Sequence, residues 1–309
     1  MSDSIDAIRK NTGLRLMVLF GSFCLLLAVA SGIFLVLSNI SGIGERSSLL
    51  LASAVQCILA FCLPAWLCGK FSSSRSMEWL GLSGRLHLKG VVGVVILYVL
   101  ALPALNQLIA WNAGMHFPEW AAGLESKLRE MEDAAAATTS VILSYSGISG
   151  MLATVFVVGI LTGFSEELFF RGALQKVLLQ SNMGVAASVW VSAFIFSAVH
   201  FQFFGFVPRL LMGVMFGYLL IWSKSLWLPV FAHALNNSVV VVSSYFIGTG
   251  TSDAGEGIKD YPGLADSGID SFGIAASGEI PWAALASAIA TALFLYRFRK
   301  YFFSTQANS

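Results

Sequence analysis

Three pairs of residues spaced four apart carry the polar chemistry of the apolar second half of the chain: Glu167 with Arg171, Phe196 with His200, and His233 with Asn237, with Glu166 adjoining the first pair. Carboxylate, imidazole and amide groups at bilayer depth are costly unless they face one another or a watery cavity, so their presence there marks a functional site. Between Ala134 and Ser252 the acidic residues are Glu166 and Glu167 alone. On a helix, residues i and i+4 share a face. Glu167 and Arg171 therefore point to one side, in the order that favours an ion pair, while Glu166 turns away and is expected to remain the unpaired acid. A carboxyl whose proton affinity responds to desolvation and to a neighbouring imidazolium suits a general base. Phe196 is expected to pack and His200 to supply the polar function; His233 and Asn237 place an imidazole and an amide donor on one face, with Asn236 an equal candidate for the amide. Glu166, His200, His233 and Asn237 converging in a dry cavity would offer a base for water and donors for a developing oxyanion. Taken singly, each histidine also reads as an interhelical hydrogen-bonding residue and the asparagine as packing glue.

The elements that must position these groups are membrane spans. The chain of 309 residues is 57% hydrophobic and 11% charged, where a soluble domain carries roughly 25% charged residues. Its net charge of +1, with no basic run longer than two, excludes a nucleic-acid-binding surface. A span needs about 20 apolar residues. On that rule the chain is an all-α, polytopic protein with eight spans, at 14–39, 47–69, 90–111, 147–178, 185–204, 207–223, 226–247 and 280–302. The Lys and Arg tally, thirteen on one side against five on the other, sets both termini in the cytoplasm by the positive-inside rule. The charged start (Arg9, Lys10, Arg15) and Ala28-Val29-Ala30 mimic a signal peptide, but the apolar run continues to Leu37, as expected of a retained first span.

Residues 1–309 read as one integral membrane domain with two longer polar segments on the outer side. In 117–138, Trp120, Leu124, Leu128 and Met131 recur at three and four residues, which fits an amphipathic interfacial helix or a solvated linker helix. Residues 248–279 hold eight Gly and six acidic residues, the composition of a flexible acidic loop. Cys24, Cys57, Cys62 and Cys68 lie in the first two apolar stretches and read as small packing residues, and His87 and His116 as surface histidines.

The trio EExxxR (Glu166, Glu167, Arg171), FxxxH (Phe196, His200) and HxxxN (His233, Asn237) resembles the CPBP family of CAAX proteases and bacteriocin-processing enzymes, whose eukaryotic members are the type II CAAX prenyl endopeptidases. The likeness covers a core at about 147–247. It implies an eight-helix intramembrane endopeptidase that hydrolyses a peptide bond in a membrane-associated protein or peptide, with the lipid bilayer as its other partner. It further implies that Glu166 and His200 activate water, that His233 and Asn237 stabilise the oxyanion, and that Glu167, Arg171 and Phe196 support them. Either a zinc ion held by Glu166, His200 and His233 or a metal-free glutamate mechanism accords with the motifs. The compact loops point to a bacterial plasma membrane. A non-catalytic scaffold or immunity protein of the same fold, and a proton-coupled transporter, are the rival classes; the chain has no matching halves of the kind many transporters show.

The depths of these groups set a geometric condition. At about 1.5 Å per residue, Glu166 lies roughly 21 Å from Gln180 and His200 roughly 24 Å from Gly184, whereas His233 lies only about 10 Å past Leu226. The helix carrying His233 must therefore begin below the membrane surface, near Pro229, and the helix carrying Glu166 must run on to about Gln180.

Overall fold

The computed structural model describes residues 11–145, 147–250 and 281–307, and among them every regular element is helical. The long helices are α1 (Thr12–Leu37), α2 (Glu45–Ser72), α4 (Leu88–Ala113), α5 (Ala122–Leu143), α6 (Gly147–Leu179), α7 (Val185–Ala198), α8 (Phe206–Ser223), α9 (Trp227–Gly250) and α10 (Pro281–Ala307), with a single turn, α3 (Ser76–Trp79), after α2. All eight stretches read as spans are helical, but among the described residues five helices are long and apolar enough to cross a membrane: α1, α2, α4, α6 and α8 with the short turn before it. The chain is thus a multi-pass membrane protein, and the described residues do not confirm the expected count of eight spans. The clearest departure is α7, which ends at Ala198 instead of 204. Its 14 residues rise about 21 Å against a hydrocarbon core of about 30 Å.

Two other boundaries move. The outer helix α5 runs to Leu143, past the predicted 138, because the alanine run 134–137 and the apolar turn after it continue the helix. Residues 248–250, assigned to the acidic loop, close α9; the rest of that loop lies outside the described residues. Arg171 and Arg209, counted among the inner and the outer charges of the topology tally, are fully buried. Setting both aside leaves the charge asymmetry pointing the same way.

The bundle is organised around α6. Leu168, Phe169, Phe170 and Leu174 sit in the largest core cluster with Phe61 of α2 and Phe196 of α7, and Phe169 meets the rings of Phe20, Phe23 and Phe61 at centroid distances of 5.2–6.0 Å. Around this centre, α7 packs on α8 and α10 on α4. Large apolar side chains such as Leu25, Val36, Val99, Ile160 and Phe194 face outward, as expected where the solvent is lipid. Three of the cysteines pack inside at least partly and Cys24 is exposed; none forms a disulfide.

Polar groups act as interhelical pins. Pro103 interrupts the hydrogen-bond ladder of α4, and Ser287 of α10 steps in, accepting the Ala104 N–H at 3.2 Å and donating to the Leu100 carbonyl. Arg46 ties the start of α2 to α6 through the Gly150 carbonyl at 3.0 Å and Thr154 Oγ1 at 2.6 Å.

Candidate active site

The seam between α6 and α9 is built from small residues. A Cβ on Gly163 would stand 2.9 Å from the Ala234 nitrogen, and one on Gly159 would collide with Ser238, so the two backbones meet as closely as a small-xxx-small pair permits. The same device recurs where Gly213 and Gly217 of α8 face Ala193 and Val189 of α7. Within α6, two wide π-helical turns, Val155–Leu161 and Leu168–Leu174, flank the short α-helical stretch Thr162–Glu167. Such turns unsettle the regular ladder and concentrate at functional sites. One consequence is direct: Asn237 of α9 donates Nδ2 to the Val158 carbonyl at 3.2 Å.

α6 continues unbroken past Glu166 to Leu179 and α9 begins at Trp227 with Pro229 in its first turn, which meets the condition set by the depths of the side chains. The start of α9 is sunk beneath the segment after α3. Leu226 donates its N–H to the Gly81 carbonyl at 3.2 Å and Trp227 Nε1 to the Leu82 carbonyl at 3.0 Å. Leu226 is wholly buried, so α9 enters the bundle from below its surface and lifts His233 to the level of the glutamates.

At that level a charge cluster forms. Glu167 Oε1 accepts from Arg171 Nη1 at 2.7 Å and from His233 Nδ1 at 2.9 Å, and all three side chains are fully buried. The expected ion pair is present; the bond to His233 was not foreseen. Arg171 also donates Nη2 to the Gly213 carbonyl at 3.0 Å and lies 4.5 Å from the Phe196 ring centroid, a desolvated cation–π contact. His233 stacks on Phe216 at 5.0 Å with planes 18° apart. Because Nδ1 gives its hydrogen to Glu167, the ring presents Nε2 towards Glu166, whose Oε2 lies 3.9 Å away. Glu166, expected to be the unpaired acid, is thus an ionic neighbour of His233 at a separation too long for a direct hydrogen bond.

His200 reaches the site differently. It follows the end of α7 in a turn in which Phe201 has φ of +55°, so it is not carried on the helix with Phe196 as the spacing predicts. Its Nδ1 donates to the Phe196 carbonyl at 2.7 Å, which leaves Nε2 as the basic nitrogen of the neutral ring. The Phe196 ring is the common floor of the site, meeting His200 edge-on at 5.2 Å and His233 at 5.8 Å.

Glu166, Glu167, Arg171, Phe196 and His233 are therefore brought together, and His200 leans on the same phenylalanine. Asn237 sits one turn beyond His233 with its amide on Val158 and its oxygen accepting from Asn236 Nδ2 at 2.9 Å. Phe216 and Gly213 complete the cage around His233 and Arg171; the Gly213/Gly217 and Gly159/Gly163 spacings were the readable signal for these close approaches. Among the described residues no three His, Cys, Asp or Glu side chains are grouped to hold a metal ion; the Nδ1 bonds of both histidines to protein acceptors leave Nε2 of each as the nitrogen that a metal would take.

Residues 148–239 match the family described as Type II CAAX prenyl endopeptidase Rce1-like. The matched segment is under a third of the chain, but it contains all three motifs and every side chain of the cluster. No curated protein and no solved structure matches the chain.

Proposed function

We propose, on the premise that residues 148–239 are a segment of the Rce1-like family of type II CAAX prenyl endopeptidases, that this protein is an intramembrane endopeptidase of CAAX type. Its substrate would be a membrane-associated protein or peptide, and its termini would face the cytoplasm of a bacterial plasma membrane. The observation that carries the reading is the division of labour between adjacent carboxylates. Glu167 is neutralised by Arg171 and bonded to His233, whereas Glu166, the more accessible of the two, directs Oε2 at the Nε2 edge of the same imidazole from 3.9 Å.

In that arrangement Glu166 takes a proton from water while the Nε2 of His200 accepts the second water hydrogen and aims the oxygen at the scissile carbonyl. The water oxygen bonds to the carbonyl carbon and the π electrons move to the carbonyl oxygen. His233 stabilises that oxyanion through an Nε2–H, its Nδ1 being bonded to Glu167. Asn237, one turn beyond His233, is the second donor proposed to face the oxyanion. Collapse of the intermediate breaks the C–N bond, and Glu166 returns its proton to the departing amine.

The test compares new protein N-termini in membranes from cells carrying the wild-type chain and cells carrying Glu166→Ala at matched abundance. Termini that vanish in the variant support proteolysis and name the substrate. Coincident profiles beside a retained wild-type phenotype favour a scaffold instead.

A further inference from the structure

The His200 turn is held in place largely by helices other than the one that leads to it. Asn112, fully buried at the end of α4, donates Nδ2 to the Phe203 carbonyl at 3.3 Å and accepts the Val207 N–H on Oδ1 at 2.8 Å. Glu132 of α5, 5% exposed, accepts the Phe204 N–H at 3.3 Å. Three residues earlier, Arg129 lays its guanidinium 3.9 Å from the Phe204 ring centroid and donates to the Met115 carbonyl at 2.9 Å. Phe117 packs edge-on against Phe203 at 5.1 Å and gives its N–H to Glu125 at 2.7 Å. From within the hairpin, Arg209 donates to Gln202 at 2.8 Å.

The physical need is clear from the local backbone. A short 3₁₀ turn, Phe203–Gly205, leads into α8, and the first N–H groups of a helix have no intrahelical acceptor. Asn112 and Glu132 supply acceptors from outside the segment. The orientation of α5 supports the same conclusion. Leu124 at 55% exposure and Met131 at 44%, with Trp120 at 87% in the turn just before the helix, face away from the protein, while Glu125 and Glu132 turn inward. Glu130 and Asp133 on the same helix stay exposed, so the inward turn belongs to the two carboxylates that accept backbone N–H groups.

We propose that Glu132 is a positioning residue for His200: α5 clamps the 203–207 segment and so fixes the imidazole where it can aim the attacking water. This rests on the role assigned to His200 above. Phe201, 70% exposed, gives the turn little anchorage of its own, so loosening the clamp should move His200 without touching Glu166 or His233.

The experiment uses the full chain in lipid nanodiscs and a fluorogenic peptide ending in a farnesylated cysteine followed by three residues. Glu132→Ala should lower kcat about tenfold or more with KM nearly unchanged, since small misplacement of a reacting group is costly. Amide exchange across 200–207 should quicken about tenfold. Glu132→Gln, whose amide oxygen still accepts from Phe204, should restore both. Should the alanine variant fail to fold, Arg129→Ala carries the test, with the same signature at about threefold. Wild-type turnover in Glu132→Ala, or in Arg129→Ala where that variant replaces it, beside an inactive His200→Ala would overturn the clamp alone. Wild-type turnover in His200→Ala would overturn the role of His200 and the clamp's purpose together. Equal loss in the alanine and glutamine variants with unaltered exchange would reduce Glu132 to a stabilising residue and overturn the proposal.

Discussion

Glu167, Arg171 and His233 are locked into the α6–α9 seam by bonds among themselves and to the neighbouring backbone, whereas His200 sits in a partly exposed turn whose register is imposed by α4 and α5. In the proposed mechanism the seam serves folding and chemistry together. The turn would serve chemistry with little claim on stability. A buried cluster of this kind tolerates no loss of one partner, because the charge left behind has no water to turn to; a turn at the bundle's outer end can lose its imidazole to solvent at small cost.

The largest expected effect sharpens that contrast at the seam. Arg171→Ala should strand the Glu167 carboxylate and cost about 3–5 kcal/mol, read as loss of folded protein in detergent thermal unfolding; an unchanged Tm would mean the pair contributes nothing to the fold. At the turn, His200→Ala should behave in the opposite way. Turnover of the farnesylated fluorogenic peptide should fall about 10²–10⁴-fold while Tm moves by no more than a degree or two, roughly the scale of a surface change. A large Tm drop there would erase the distinction between the two regions.

Gly163→Val tests whether the close approach of backbones is what brings His233 to the glutamates. A side chain directed at the Ala234 backbone must push α6 and α9 apart, with an expected cost of about 1–3 kcal/mol and a loss of turnover out of proportion to it. Full activity in that variant would show that the seam has slack. The smallest effect concerns the outer clamp. The Phe117 N–H, with help from Arg129 and His116, holds the Glu125 carboxyl below its ordinary value. A depressed folded-state pKa contributes stability that is present above the unfolded value, about 4.3, and is lost as pH falls through the folded one. Amide exchange in 115–129 should therefore quicken below about pH 4, ahead of exchange in α6, and Glu125→Gln should remove the pH dependence.

The same comparison explains what the sequence made legible. Helix-borne groups followed the i,i+4 rule: Glu167 pairs with Arg171, and the depth argument located the start of α9 near Pro229 and the continuation of α6. Those inferences depend on local periodicity alone. His200 departed from it because Phe201 adopts a left-handed conformation that ends α7 early, and nothing in the apolar run FIFSAVHFQFF announces that break. The bond from His233 to Glu167 was equally illegible, since it depends on the rotation of α9 against α6, which spacing within one helix does not fix. Glycine spacing would have narrowed that rotation: Gly159 and Gly163 mark the face of α6 that α9 must cover. Of the stripe Trp120, Leu124, Leu128 and Met131, the first two and the last are exposed and Leu128 is half-buried; its direction goes with the carboxylates that the 203–207 segment requires.

The central claim is that Glu166 handles the proton of an attacking water within a cluster whose fold is maintained by Glu167, Arg171 and His233. It is tested most directly by assaying purified wild-type protein and Glu166→Gln in nanodiscs against the farnesylated fluorogenic peptide, with thermal unfolding measured on the same samples. The account predicts cleavage by the wild type, turnover at least about 10²-fold lower in the variant, and unfolding temperatures that agree closely. Cleavage by both proteins at equal rates would contradict it.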